Sequence, residues 1–271
     1  MRSTFLLVAL CAFFAVGIAR APAWPFHMAR YQQTLEKDFD ATGVTTLEVH
    51  VPSGDLELRP GLSRPQAASP AGAPAVHANS VHVSGLLRGS SQDALAGVTV
   101  TSQRDGNRLV LTVNEPRWHG LSSEKFTIGF PPSAALRVFD SSGDVRIDDP
   151  RGSVMVSESS GDVIVGSPQG SVEVSSSSGD IVVREARSSL TLSSSSGDLV
   201  ATLASGWSGS ALALSSSSGD VKLTLPAAFR GHLDASIGSG DFRNGTNLPR
   251  GGNDGIAVRL HAASGDITVT Q

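Results

Sequence analysis

Apolar and polar residues alternate with a period of two along much of the chain after Leu47, and one tripeptide, Ser-Gly-Asp, keeps interrupting the alternation. Counting back from the Gly of each copy, the seventh residue is Leu47, Leu136, Val154, Val172, Leu190, Leu212, Leu233 or Val258. The fifth is Val49, Val138, Val156, Val174, Leu192, Leu214, Ala235 or Leu260, so both positions are apolar in every copy. Beyond the Asp, the next residue and the one two further on are again apolar in seven copies, as in Val163 and Val165. Asn244 breaks the pattern in the copy at Asp241. Alternation on both sides of a Gly-centred turn marks two short, half-buried strands. Each repeat therefore supplies two strands and one corner.

The Gly-Asp pairs begin at Gly143, Gly161, Gly179, Gly197, Gly219, Gly240 and Gly265, in steps of 18, 18, 18, 22, 21 and 25 residues, with an eighth copy upstream at Gly54. The distance from first strand to Gly never changes, whereas the return from Gly to the next strand takes 11, 11, 11, 15, 14 and 18 residues. The Ser-Gly-Asp corner is thus the fixed edge, and the opposite edge accepts insertions. A recurring unit that cannot bury its own apolar face predicts stacking. The fold class expected is all-β: a parallel β-solenoid of short two-strand coils about 4.8 Å apart. At the corner, Gly supplies positive φ, Asp and Ser hydrogen-bond turn amides, and stacked Ser hydroxyls are expected to bond one another between coils.

Upstream, Arg2 precedes an apolar run from Phe5 to Ala19 and the small-residue sequence Ala21-Pro22-Ala23. This reads as a secretory signal over residues 1–23, the run being shorter than the roughly 20 residues of a membrane helix. Cys11 lies in that run behind Val8-Ala9-Leu10, whose bulky Leu does not suit a lipoprotein signal. Residues 24–135 form an N-terminal β segment holding the first repeat, and residues 136–271 form the solenoid. Within the former, 24–43 carry no strong pattern and 63–78 read as a Pro/Ala-rich surface loop. Strands are expected at Ser80 to Leu87, Val98 to Ser102, Arg108 to Val113 and Lys125 to Phe130, capping one end of the solenoid. A turn at Asp105-Gly106-Asn107 joins the middle two.

Charge and chemistry narrow the function classes. The net charge is -4, and loss of Arg2 and Arg20 with the signal leaves 19 basic against 25 acidic residues, which argues against a nucleic-acid partner. Cleavage after Ala23 also removes the single cysteine, so the mature protein holds itself together without disulfides. In stacked coils Asp144, Asp162, Asp180, Asp198 and Asp220 stand about 5 Å apart, near the separation of a retaining glycosidase pair. Catalysis, however, needs two carboxyls in unlike environments, and a ladder repeats one environment. Such carboxylates repel by roughly 0.9 kcal/mol in water and roughly 3.5 kcal/mol at an effective dielectric of 20, which makes the ladder a candidate calcium site. The Gly-Gly-x-Gly-x-Asp spacing of calcium β-rolls is absent, and capping of turn amides explains the Asp without any cofactor.

The histidines show no ligand-like cluster apart from His77 and His82, and no Gly-x-Ser-x-Gly elbow occurs. Asn244-Gly245-Thr246 matches a glycosylation sequon. Trp207, within the return-loop expansion from Ser205 to Ser210, is a candidate ligand contact, an indole able to stack on a sugar or fold back over the coil edge.

With its early Ser-Gly-Asp strand pair, the Val98 to Val113 hairpin, the segment Phe126 to Pro131 and the tandem coils, the chain from Leu47 to Gln271 resembles the bacterial adhesin-like family of the DUF4097 domain. The resemblance implies a β-solenoid on the exported side of a membrane and, by name only, adhesion; it implies no catalytic residue. The function expected is that of a non-catalytic exported envelope or cell-surface scaffold, periplasmic or secreted, that binds a protein or glycan. It carries no membrane span once the signal is cleaved. The alternatives are a carbohydrate-active β-helix enzyme and a calcium-stabilised repeat protein.

Overall fold

In the computed structural model, residues 31–61, 80–115, 121–252 and 255–271 are described. The expected signal at 1–23, the Pro/Ala-rich stretch 63–78, His77, Trp24 and Trp118 lie outside them.

The repeats form coils, each contributing one strand to each of two long sheets. First strands such as Val154–Ser160, Val172–Ser178 and Leu190–Ser196 pair in parallel, with Val154, Val172, Leu190 and Leu212 in one register column and Val156, Val174, Leu192 and Leu214 in the next. Second strands such as Val163–Gly166, Ile181–Ala186 and Leu199–Leu203 pair likewise in the other sheet. Val154, Val172 and Leu190 are all buried, in one continuous aliphatic core with Val163, Ile181 and Leu199 from the facing sheet. The protein is an all-β parallel β-solenoid.

Glycine holds the corner for two reasons. Gly161, Gly179, Gly197 and Gly219 have φ between +119° and +142°, a region that side chains disfavour. A Cβ on any of them would also collide with the carbonyl oxygen of the corner glycine one coil earlier. The coils can therefore stack this closely only if the column is glycine throughout.

At both ends the coils do not stack in chain order. The last repeat, with strands Ile256–Ser264 and Ile267–Thr270, inserts between the coil at Leu212–Ser218 and the coil at Gly231–Ser239. The earlier segment, Gly231–Ser239 with Phe242–Gly245, is thereby left outermost. That explains Asn244: its inward position has no coil beyond it to bury against, and its side chain instead accepts from Thr246 N–H and donates to Leu248 O. Arg250 covers the neighbouring Phe242 ring at 4.5 Å.

At the other end the first repeat, Thr46–Val51 and Asp55–Pro60, is sandwiched between the coil at Ala135–Asp140 and a further coil made of Arg108–Asn114 and Leu121–Phe130. Antiparallel strands Thr99–Asp105 on one sheet, and Ser80–Gly89 then Tyr31–Asp40 on the other, close that end. The segment 24–43, which shows no pattern in the sequence, thus contains a ten-residue edge strand. Only Leu35 and Phe39 of that strand pack on the core, and its charged residues suit an edge that must not recruit further strands. A short helix, Gln92–Ala96, capped by Ser91, also has no counterpart in the sequence reading.

Candidate functional site: a carboxylate corner and a basic return edge

Each corner Asp from Asp144 up to, but not including, the outermost, Asp241, accepts the backbone N–H of the Asp in the adjacent coil. Asp144 Oδ1 bonds Asp162 N at 3.0 Å, Asp162 bonds Asp180 N, Asp180 bonds Asp198 N and Asp198 bonds Asp220 N, each of these three at 2.8 Å. The line continues through Asp266 to Asp241, so it follows the spatial order of the coils and not the chain order. One oxygen of each accepting carboxylate is committed to an amide that would otherwise be left unpaired at the corner. The Asp266 N–H, helped by Lys222 and Arg243, holds the Asp220 carboxyl below its ordinary pKa although burial opposes it. Lys222 also lies 3.7 Å from Asp198, and Arg243 bridges Asp241 and Asp266. Among the described residues, no grouping of three or more His, Cys, Asp or Glu is arranged to hold a metal ion.

Beneath this corner lies a second set of acids that the sequence reading missed. The residue three before each Gly points inward, in the order of stacking Val51, Asp140, Glu158, Ser176, Ser194, Ser216, Ala262 and Ile237. Asp140 and Glu158 are 4% and 3% exposed, each with one carboxylate oxygen lacking a partner. The other oxygen holds corner amides: Asp140 Oδ1 takes Ser142 N–H, and Glu158 Oε1 takes those of Ser159 and Ser160. Burial, with the charge of Glu158 added, pushes the Asp140 carboxyl up to about 8. Burial raises Glu158 as well, against the pull of its two amides. On the coil made of Arg108–Asn114 and Leu121–Phe130, Glu124, buried beside Glu115, is also pushed to about 8 by burial and by that neighbour.

Outward-facing acids fare differently. Burial would raise Glu57, but Arg59 and Lys125 outweigh it and hold the carboxyl below its usual range. The parity of the repeat could have exposed the inward acids: positions seven, five and three before Gly share one face, yet the third reads Asp, Glu, Ser, Ser, Ser across five successive repeats. Two inward serines bond backbone and not a neighbouring hydroxyl, whereas the Ser189 and Ser210 hydroxyls of adjacent coils bond each other at 3.3 Å. Ser176 donates to Ser178 O and Ser216 to Gly197 O, both backbone carbonyls.

The return edge lies on the other side of the coil. Trp207 is half-buried there, its indole N–H donated to Ser188 O at 2.6 Å and its ring 5.4 Å from Phe229. The four extra residues of that repeat thus carry a side chain that packs onto the coil edge. His82 bonds Asp38 Oδ1 at 2.7 Å. A groove of about 400 Å³ runs along the same edge over the earlier coils, lined by Asp149, Arg151, Ser167, Gln169 and Arg187.

The family model of Toastrack DUF4097 matches residues 32–270, and the chain belongs to that family. No curated protein matches the chain. Among solved structures, it is similar to a "putative cell adhesion protein" from Clostridium sporogenes, with 10% identity over 89% of this chain and 99% of that one and a TM-score of 0.42. It is also similar to a "putative adhesin" from Bacteroides fragilis, with 14% identity over 88% and 97% and a TM-score of 0.37.

Proposed function

We propose that the protein is an exported, non-catalytic binding scaffold of the bacterial cell envelope. The observation that carries this reading is the corner ladder: in Asp144, Asp162, Asp180 and Asp198 one carboxylate oxygen is spent on the backbone amide of the next coil. The raised acids Asp140 and Glu158 do not offer a catalytic pair either, because they are enclosed in the core beneath the Ser-Gly-Asp corner while the groove lies on the return edge. What the coils leave for recognition is a pair of flat strand faces and that edge. On one face Ile164, Val182 and Val200 align between Arg146 and Lys222.

Export rests on the apolar run from Phe5 to Ala19 followed by Ala21-Pro22-Ala23. No helix among the described residues is long and apolar enough to cross a membrane. The candidate contact Trp207 would serve a partner only through the exposed edge of its ring, its N–H being already engaged.

The test is fractionation of a bacterium expressing the full chain, with mass spectrometry of its N-terminus and a reducing-end assay on polysaccharides. A mature protein starting at Trp24, recovered outside the cytoplasm and releasing no sugar ends, is expected. Retention in the cytoplasm with residues 1–23 intact would refute export, and sustained release of reducing ends would refute the non-catalytic reading.

A further inference from the structure

Beyond strands such as Val163–Gly166 the chain bends through a left-handed residue at the same place in three consecutive coils: Asp149, Ser167 and Glu185, with φ of 46°, 47° and 57°. None is glycine, so each side chain is kept at a conformation that side chains disfavour. Two residues later come Arg151, Gln169 and Arg187. Their amides bond the carbonyls of Pro132, Pro150 and Pro168, respectively, so the three occupy equivalent places in successive coils. The result is an exposed column of guanidinium, carboxamide and guanidinium, flanked by Asp149 and Ser167, along the floor of the groove. Pro60 and Pro132 line it as well. Neither Arg151 nor Arg187 forms an ion pair among the described residues, although acids are common on this surface. Standing two coils apart, the Arg151 and Arg187 backbones are separated by about 9.6 Å along the stack.

We propose that this groove binds an acidic polysaccharide, lying along the solenoid axis with carboxylate or sulfate groups on Arg151 and Arg187 and sugar hydroxyls on Gln169, Ser167 and Asp149. The proposal deepens the scaffold reading and rests on it. Arginine is the side chain whose planar fork matches an oxyanion in two parallel bonds. Spacing set by the coil repeat selects a linear polymer whose charges recur at that interval. Asp149 decides between polyanions: a sugar hydroxyl can donate to its carboxylate, whereas a phosphate chain offers it no donor and is repelled.

The experiment is calorimetric titration of the purified protein with polygalacturonate, dextran sulfate, neutral dextran, polyphosphate and oligo-dT at fixed salt. Binding of at least one of the two acidic polysaccharides is expected, stronger than that of polyphosphate or oligo-dT, with none to neutral dextran. Losing both arginines in R151A/R187A should weaken it by about a hundredfold, tenfold for each charge-assisted contact. The control R259A, which removes the same charge from an outer strand face, should leave it within about twofold. Asp149→Ala should bring polyphosphate closer to the acidic polysaccharides. Because Arg151, Arg187 and Arg259 are exposed, the thermal midpoints of R151A/R187A and R259A should match the parent. Failure of both acidic polysaccharides to bind, equal binding by polyphosphate, or unchanged affinity in R151A/R187A would overturn the proposal. An envelope glycan or protein bound equally by parent and R151A/R187A would overturn the groove while leaving the scaffold reading in place.

Discussion

Placing Asp140 and Glu158 among aliphatic columns gives the fold a dependence on pH that its surface acids do not. A carboxyl raised on folding contributes full stability below its unfolded pKa, and that contribution is lost as pH rises through the folded value. For Asp140 the window runs from about 4 to about 8, and across it stability falls by up to about 1.4 kcal/mol per pH unit for the group. Thermal midpoints of parent and Asp140→Asn should therefore nearly coincide at pH 5, where the parent carboxyl is neutral. They should separate in favour of Asn at pH 9; parallel curves over that range would show that Asp140 does not titrate inside the core. Gly179 makes a sharper demand, since Ala there meets the Gly161 carbonyl as well as a disfavoured φ. Gly179→Ala should cost about 3 kcal/mol or more, measured by urea unfolding, and a cost under about 1 kcal/mol would mean that the corners are not in close register. Both residues were visible in the sequence, but only one was interpretable there. Glycine recurs at its position in every repeat, whereas the inward acids occur in two repeats and look, without the parity argument, like ordinary strand-end polar residues.

The coil owes its corner to the Asp line, and the line can be tested one rung at a time. Asp180→Ala removes the acceptor of Asp198 N–H and should cost about 1 to 2 kcal/mol, the range for losing a side-chain cap on a backbone amide. Asp180→Asn retains an acceptor and should recover most of that. If the line serves amides and not calcium, the thermal midpoint of the parent should be the same with excess calcium and with chelator; a shift of several degrees would make it a metal site. Repeat-derived strands were legible because each combines alternation with a fixed distance to Gly. The edge strand Tyr31–Asp40 was not, because an edge is half solvent: Leu35 and Phe39 are its only core contacts and the charges between them erase the period. The groove was illegible for another reason. Arg151, Gln169 and Arg187 lie in the turns of the return edge, where no alternation marks direction and only the register of folded coils brings them into line.

At the scale of the molecule, local pattern specifies each coil but not its place in the stack. Every repeat offers the same two strands, so what decides the order is which coil can tolerate one uncovered face. The coil at Gly231–Ser239 and Phe242–Gly245 can, since Asn244 takes an inward place and Ala235, Ile237 and Phe242 are only partly buried. In the last repeat Val258, Leu260, Ala262, Ile267 and Val269 are fully apolar and buried, so that repeat gains more from a neighbour on each side. The chain accordingly lays down its outermost coil first and returns to fill the gap, an arrangement eased by the long connection of this repeat, since loop closure grows only slowly in cost with length. Amide hydrogen exchange can read the outcome directly, because protection follows spatial burial within a cooperative stack. Amides of Val258 and Leu260, hydrogen-bonded between two coils, should exchange as slowly as those of Leu212 and Leu214, while the outward-facing amides of the coil at Gly231–Ser239 should exchange faster despite lying earlier in sequence. Protection that instead declines steadily toward Gln271 would mean that the final repeat is the outer one, and would return the coils to chain order.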